Sequence, residues 1–382
     1  MLYFLSSFLC QITLLRSSLP ISFPFCPTGF FTEEQKMNND RQAIDTLRGF
    51  ACILLVAYHV VGNTPFNGLR LEEGVYREVN DLLGYVRMPI FTFLSGLVYA
   101  YRPFNGDYRK FFSGKTRRLL FPMLVVGTCF AVLQSFTPGA NAEQYNWPML
   151  HVLPVAHFWF VEALFIIFAF VAIFEALKFL SNPLLFSAVF GLATFIYTSS
   201  FDVPYFALSG AVYLFPFFLL GVAIHRFNLI RYLSVWHGWM LLALVSASLM
   251  LNALGYLYVH DKRSVYGLLV GAVFCIGALS VRGRSQWLAR IGVYSYSIYL
   301  FHVFFTAAFR IILTKVGVEN THLLFAVSLL AGIVGPIVTE RLLLGTNITR
   351  VLCLGKAPTK IENLWFSKRF KKDRELTTVS DV

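Results

Sequence analysis

Residues 43–59 read AIDTLRGFACILLVAYH, a charged entry followed by an apolar run that ends in tyrosine and histidine. The hydrocarbon core of a bilayer is about 30 Å thick, so a helix that spans it needs about 20 mainly apolar residues. This stretch meets that length. Its ionisable residues are costly inside a membrane and usually have a function there. The stretch therefore predicts a membrane helix that carries chemistry.

The rest of the chain has a similar composition. Of its 382 residues, 57% are hydrophobic, 17% are aromatic and only 14% are charged, whereas soluble domains carry about 25% charged residues. This composition excludes an ordinary soluble domain, and it excludes disorder, which requires low hydrophobicity. The net charge of +12 is typical of basic cytoplasmic loops in a membrane protein. We therefore expect membrane lipids, and no nucleic acid, as partners.

Apolar segments of bilayer length recur along the chain, which predicts an all-α, polytopic membrane protein with a bundle of about ten transmembrane helices. The predicted segments are residues 44–62, 82–101, 119–137, 157–177, 183–201, 205–224, 237–257, 264–281, 292–313 and 322–340. With residue 43 on the cytoplasmic side, the inner connections and tail hold 22 Lys and Arg residues, against five in the outer loops. This asymmetry fits the positive-inside tendency and predicts that the N and C termini are both cytoplasmic.

Three parts of the chain are expected. Residues 1–36 form an N-terminal extension without the basic start and cleavage site of a signal peptide. We interpret it as a mis-assigned start, with Met37 as the natural initiator; a peripheral or eleventh membrane segment is the alternative. Residues 37–345 form the membrane domain, and residues 346–382 a basic cytoplasmic tail.

The first predicted helix aligns two ionisable side chains. Arg48 and His59 are eleven positions apart, so they project from one face about 16 Å apart along the axis and can contact two ends of a long ligand. Asp45, three residues before Arg48, can pair with it. Glu162 is predicted at a depth similar to that of His59, where a carboxylate could orient the imidazole. Alternatively, His59 donates to a neighbouring helix and Glu162 only caps a polar pocket.

Other polar residues have weaker patterns. His302 follows a hydroxyl-rich run that includes Tyr299, and Arg87, at the outer start of the second helix, could also snorkel to headgroups. A basic cluster of Lys115, Arg117 and Arg118 precedes a predicted helix start, where cationic side chains and free backbone amides favour phosphate groups. Inner loops are basic in any case, so this cluster is weak evidence alone. The cysteines show no metal-binding spacing, and no metal is expected.

Residues 41–51 together with His59 resemble the opening helix of the integral-membrane acyltransferase family 3, which combines an Asp-x-Leu-Arg-Gly segment with a histidine eleven positions after the arginine. Residues 87–96, 115–119, 157–162 and 296–302 resemble the further signatures of that family, in order. The first basic residue is Lys115, where the family usually has arginine. Glu340 is followed by Arg341 where the family often has proline, so we expect no role for Glu340.

The resemblance implies an O-acetyltransferase that moves an acyl group, usually acetyl from acetyl-CoA, to a hydroxyl of a lipid-linked or exported carbohydrate. It implies a multi-pass protein of the bacterial cytoplasmic (inner) membrane. The roles that we expect are a general base (His59), a residue that orients it (Glu162), a guide for the pantetheine arm (Arg48), phosphate ligands (Lys115, Arg117, Arg118) and an acceptor pocket (Arg87, Tyr299, His302). Direct transfer and a covalent acyl-histidine remain open.

Two other classes of function remain as alternatives. A transporter or flippase of a glycan or lipid precursor would line its path with the same polar residues, although the sequence shows no internal repeat of the kind that many transporters have. A structural subunit of a polysaccharide export complex would tolerate the loss of His59. Labelled acetyl-CoA separates the enzyme from both, because neither alternative yields a labelled glycan.

Overall fold

A computed structural model of the protein describes residues 33–138, 145–199, 201–257, 259 and 261–359. These residues form helices and no β-strand. The chain divides into two units, Met1–Asn38 and Asn39–Val382. In the first unit the described residues, 33–38, are helical, and everything below concerns the second. The predictions for residues 1–32 and for residues 360–382 of the tail lie outside the described residues.

The helices are numbered here in chain order. They are α1 (Glu33–Val61), α2 (Val75–Leu82), α3 (Gly84–Tyr101), α4 (Tyr108–Lys115), α5 (Phe121–Phe136), α6 (Trp159–Ala176), α7 (Pro183–Thr198), α8 (Leu208–Arg226), α9 (Val235–Ala253), α10 (Val265–Ser280), α11 (Gln286–Val293), α12 (Ser295–Lys315), α13 (Thr321–Leu343) and α14 (Asn347–Leu352).

Seven helical segments of the described chain are long and apolar enough to cross a membrane. They are Asn39–Val61, Tyr108–Phe136, Ala156–Ala176, Tyr205–Arg226, Val235–Ala253, Ser295–Lys315 and Thr321–Leu343. Helices α2 and α3, bent by 41° to each other, would make an eighth if they form one broken span. The chain is thus an all-helical, multi-pass membrane protein.

The predicted count of ten spans is not confirmed. Each predicted segment overlaps a helix, but α7 and α10 have only 16 residues each. At 1.5 Å per residue such a helix is about 24 Å long, which is less than the bilayer core. The predicted span over residues 183–201 extends past the end of α7, which lies at Thr198 and is followed by Ser199 in an extended conformation.

Close contacts between backbones hold the centre of the bundle together. A Cβ atom on Gly96 of α3 would lie 2.0 Å from the carbonyl oxygen of Phe218 on α8, and one on Gly221 of α8 would lie 2.1 Å from the carbonyl oxygen of Phe93. Small residues are what permits membrane helices to approach so closely. Phe93 and Phe218 are themselves fully buried, so α3 and α8 form a rigid centre for the site.

The basic cluster lies within a continuous helical segment. Asp107 caps α4 by accepting a hydrogen bond from the Lys110 amide at 2.9 Å, and a π-helical turn, Thr116–Leu120, joins α4 to α5. The expectation that Lys115 and its neighbours precede a helix start is therefore wrong, because the helix begins a full two turns earlier. What this position offers is side chains on a π turn, a feature often found at functional sites.

Candidate active site

A cavity of about 640 Å³ lies among α1, α3, α5, α6 and α12. It is bordered by the connection that follows α1 and by residues 261–263, between α9 and α10. Its lining includes His59, Arg87, His157, Lys262 and Tyr299. The volume is within the usual range for a small-molecule site, and the walls are mostly apolar with a few polar groups, as such sites normally are.

Three imidazole rings meet beside this cavity. The ring centroid of His59 lies 4.8 Å from that of His302 and 5.6 Å from that of His157, and the rings of His157 and His302 are 5.0 Å apart. All three pairs meet edge to face. We call His59, His157 and His302 the histidine cluster. In the described part of the chain, no group of three or more His, Cys, Asp or Glu residues has the arrangement of a metal site.

His302 is fixed by its own helix. It is fully buried, and its Nδ1 lies 2.8 Å from the carbonyl oxygen of Ile298 and 2.9 Å from that of Tyr299. A carbonyl oxygen only accepts, so Nδ1 must carry the hydrogen. Nε2, on the other side of the ring, has no hydrogen-bond partner among the described residues. In the neutral ring this atom has a lone pair available to the cluster.

An unusual turn orients the side chain of His157. It lies in a 3₁₀ turn, Ala156–Phe158, that leads into α6, and Ala156 has a φ of 42°, which is uncommon for a residue other than glycine. The Tyr299 hydroxyl donates to the carbonyl oxygen of His157. Both ring nitrogens of His157 are buried without a hydrogen-bond partner in the described chain, so the ring is held by packing and its nitrogens stay available.

Arg87 closes the cavity on the side of Tyr58. Its side chain is almost fully buried, and its guanidinium carbon lies 4.2 Å from the centroid of the Tyr58 ring. Nη2 donates to the backbone and side-chain oxygens of Asn80, at 2.9 and 3.1 Å. Asn80 in turn donates to the Gly62 carbonyl oxygen at 3.0 Å. Helix α2, which the sequence did not predict, therefore positions Arg87.

Arg48 pairs with Asp45 as predicted. Its Nη1 donates to Oδ1 of Asp45 at 2.9 Å, and about a third of its side chain is exposed. The lining of the cavity does not include Arg48. The turn that carries it is packed closely on α11, since a Cβ atom on Gly49 would lie 1.9 Å from the Leu288 carbonyl oxygen. Arg48 therefore lies on a closely packed turn, about 16 Å from His59 along the helix axis.

Glu162 is buried in the first turn of α6. In the described part of the chain, the structure gives it no hydrogen bond or ion pair with His59; the rings around His59 are those of Tyr58, His157 and His302. The structure therefore brings His59 and His302 together and leaves Glu162 outside their direct contacts.

The three basic residues of the predicted inner segment differ in their surroundings. The Lys115 ammonium lies 3.2 Å over the Phe168 ring and 5.3 Å from that of Phe111, so an aromatic pocket holds it. Nε of Arg117 is buried without a hydrogen-bond partner among the described residues. The side chain of Arg118 is exposed, while its carbonyl oxygen accepts from the Tyr296 hydroxyl.

Comparison with known families decides the assignment. A family model described as an acyltransferase domain, that of acyltransferase 3, matches residues 41–341. The chain belongs to the acyltransferase 3 family. Among curated proteins and among solved structures, no match was found. Membership gives the chain a general acyltransferase activity, and it places the histidine cluster and the inner basic residues within one acyltransferase domain.

Two features of this acyltransferase were not predicted from the sequence. His157 was noted only as the start of a motif, although it lies five residues before Glu162 and enters the cluster. Glu340, for which no role was expected, is buried and accepts hydrogen bonds from Ser297 at one oxygen and from Lys356 at the other. The position of Glu340 near the end of a predicted span could have indicated its role, since carboxylates in such positions are almost always paired.

Proposed function

We propose that the protein transfers an acyl group, usually acetyl, from cytoplasmic acetyl-CoA to a hydroxyl of a lipid-linked or exported carbohydrate. The observation that carries this proposal is the histidine cluster at a cavity large enough for a sugar. Histidine is the residue that most often moves protons in catalysis. Family membership supports acyl transfer in general, and the carbohydrate acceptor follows from the resemblance of the motifs.

In this proposal His59 is the general base. It is the half-buried member of the cluster and it lines the cavity, so its imidazole can accept the proton of a bound hydroxyl. His302 is a positioning residue, because its fixed Nδ1 directs its lone pair on Nε2 away from its own helix. Glu162 acts on this proton transfer through its charge over a longer range, since electrostatic interactions are strong in a medium of low dielectric constant.

Acetyl-CoA supplies an acyl group activated as a thioester. Of the residues present, Arg117 and Arg118 fit its phosphates best, because Arg117 has a buried, unpartnered Nε and arginine is suited to phosphate recognition. Lys115 would have to leave the ring of Phe168 to take part. Arg48 is proposed to guide the pantetheine arm between these residues and His59.

The proposed reaction requires a defined orientation. We propose about ten spans with both termini on the cytoplasmic side of a bacterial inner membrane, so that Arg117 and Arg118 face the donor and the cavity faces the outer leaflet. The excess of basic residues in the predicted inner connections supports this topology. The short α7 and α10 would count as spans if the bilayer thins locally around them.

Radiolabelled acetyl-CoA supplied to inverted membrane vesicles tests this function. We expect label in a carbohydrate product when the vesicles contain the protein, and none in vesicles without it. A transporter or flippase would move the glycan across the membrane while the product stays unlabelled. That outcome, with the protein correctly inserted, would replace the acyl-transfer proposal.

A further inference from the structure

The lining of the cavity carries more positive charge than the reaction needs. The lining includes the cationic side chains of Arg87, Lys262, Arg263 and Arg310, against one carboxylate, that of Asp261. General base catalysis by His59 uses none of these. Burying several cations around a neutral ligand is expensive unless a negative charge offsets them. The excess of positive charge therefore indicates that the cavity binds a negatively charged ligand.

Arg87 and Lys262 have no acidic partner in the described chain. Arg263 has none there either, but its three side-chain nitrogens already donate to backbone carbonyl oxygens. Arg87 is only 4% exposed, its polar contacts are the neutral oxygens of Asn80, and its Nε has no hydrogen-bond partner among the described residues. Lys262 is half-buried and makes no ion pair there. Its Nζ lies against Gly84, where a Cβ atom would be 2.6 Å away. A glycine at the start of α3 therefore makes room for the ammonium group.

The described residues around Lys262 are tied to neighbouring parts of the chain by hydrogen bonds. The Tyr197 hydroxyl donates to the Lys262 carbonyl oxygen at 2.8 Å. Nε of Arg263 donates to the Tyr197 carbonyl oxygen at 2.9 Å, which ties the loop to α7. Nδ2 of Asn252 donates to the Val259 carbonyl oxygen at 3.0 Å. These contacts fix the backbone on both sides of Lys262, and its ammonium reaches Gly84, three residues before Arg87 on α3.

Arg87 lies close to the reacting centre. The Tyr58 ring is 4.2 Å from the guanidinium carbon of Arg87 and 4.8 Å from the ring of His59. Arg87 and His59 can therefore be no more than about 9 Å apart. A charge bound by Arg87 and a hydroxyl bound by His59 belong to the same unit of the acceptor or to neighbouring ones.

We infer that Arg87 and Lys262 bind an anionic group of the acceptor, so that the substrates of this site are negatively charged carbohydrates. The inference rests on the proposed function and specifies its acceptor. Two sources share this chemistry: the carboxylate of an acidic sugar, and the phosphate or diphosphate through which a sugar is attached to a lipid carrier. Lys262 is the residue that tests this specificity, since its side chain lines the cavity and it is not a member of the histidine cluster.

Competition in vesicles that form labelled product tests the inference. The probes are a methyl glucuronoside, inorganic diphosphate and the neutral methyl glucoside, each scored by inhibition that is competitive with the acceptor and not with acetyl-CoA. We expect at least one anion to inhibit at a concentration about tenfold lower than that of the neutral glycoside. Stronger inhibition by the glucuronoside indicates that the anionic group is the carboxylate of an acidic sugar. Stronger inhibition by diphosphate indicates that it is the phosphate of a lipid-linked sugar.

The variants give the decisive comparison. Lys262→Gln should reduce the ratio of neutral to anionic inhibition constants about tenfold, and Lys262→Arg should keep it. Lys315→Gln is the matched control, because Lys315 is an exposed lysine outside the cavity, and it should also keep the ratio. Equal inhibition by charged and neutral probes, or a ratio that Lys262→Gln does not change, would overturn the inference.

Failure of the proposed function can be distinguished from failure of the inference about an anionic acceptor. If the vesicles form no labelled glycan, acyl transfer is refuted, and calorimetry with the same probes on the full chain in lipid nanodiscs still decides between charged and neutral ligands. If label is transferred but charge has no effect on binding, acyl transfer stands and the anionic acceptor does not.

Discussion

The rings of His59 and His302 meet edge to face, with their centroids 4.8 Å apart. The two residues lie on α1 and α12, more than 240 positions apart in the chain. The contact joins the proposed base, which faces the cavity, to a ring whose tautomer is set by backbone carbonyl oxygens. This relationship makes the pair a candidate for moving a proton, and it leads to the first prediction.

Replacing His302 with Gln should lower kcat at least tenfold and leave KM for acetyl-CoA within about threefold of wild type, because a lost positioning residue weakens the chemical step rather than donor binding. Initial rates of label transfer measure both constants. His322→Gln is the control, since His322 is exposed and lies outside the cavity. An increase of KM for acetyl-CoA with kcat preserved would show that His302 acts on the donor instead.

The inner basic residues should contribute unequally. Arg117→Gln should raise KM for acetyl-CoA about tenfold, because it removes a charge-assisted hydrogen bond to phosphate. Lys115→Met should change it by less than about threefold, since the Lys115 ammonium already lies on the ring of Phe168. Arg284→Gln, an exposed arginine of a predicted inner loop, is the control. Equal effects of the Arg117 and Lys115 variants would contradict the assignment.

The contrast between these residues shows where sequence reasoning stops. The pairing of Asp45 with Arg48 was predictable, because side chains three positions apart on a helix are neighbours. The stacking of Lys115 on Phe168 was not, since it joins two helices that are distant in sequence. The same holds for the histidine cluster, in which His157 depends on the positive φ of Ala156.

Helix identity was predicted better than helix length. Hydropathy located a helix in each of the ten segments, because every membrane helix must be apolar. It located the ends of α10 within one residue, but it extended α7 three residues beyond Thr198 and did not predict α2, because a short amphipathic helix lacks the uniform hydropathy of a membrane span. The failure to predict α2 matters for function, since this helix carries Asn80, whose oxygens accept hydrogen bonds from Arg87.

Glu340 should stabilise the fold. Its carboxylate joins Ser297 on α12 to Lys356 after α14, so Glu340→Gln should lower the free energy of unfolding by about 1–3 kcal/mol. Thermal unfolding in detergent measures this as a lower Tm. Glu319→Gln, which changes an exposed carboxylate, should leave Tm within about 1 °C of wild type. A Glu340 variant as stable as wild type would show that the contacts add no stability.

Anionic probes should bind more weakly at alkaline pH. Burial, and next the positive charge of Arg87, lower the pKa of Lys262, with a smaller contribution from Arg77 and an opposing one from Asp81. Lysine is charged below its pKa, so the lowered value removes this charge at a lower pH than in an ordinary lysine. The inhibition constant of the glucuronoside should rise as the pH passes through that range.

Lys262→Arg provides the check on this pH effect. The arginine guanidinium has a pKa above 12, so the variant should keep a low inhibition constant where wild type loses it. The neutral glycoside, measured alongside, corrects for the titration of other groups. The same alkaline loss in wild type and in Lys262→Arg would assign the effect to another group.

The most direct test of the account is the rate of acyl transfer by His59→Ala in vesicles, with labelled acetyl-CoA and the native acceptor. Loss of a general base should lower kcat by a factor of about 10² to 10⁴, while circular dichroism and membrane insertion match wild type. His59→Ala with a kcat within about threefold of wild type would contradict the claim that His59 takes the proton of the acceptor hydroxyl.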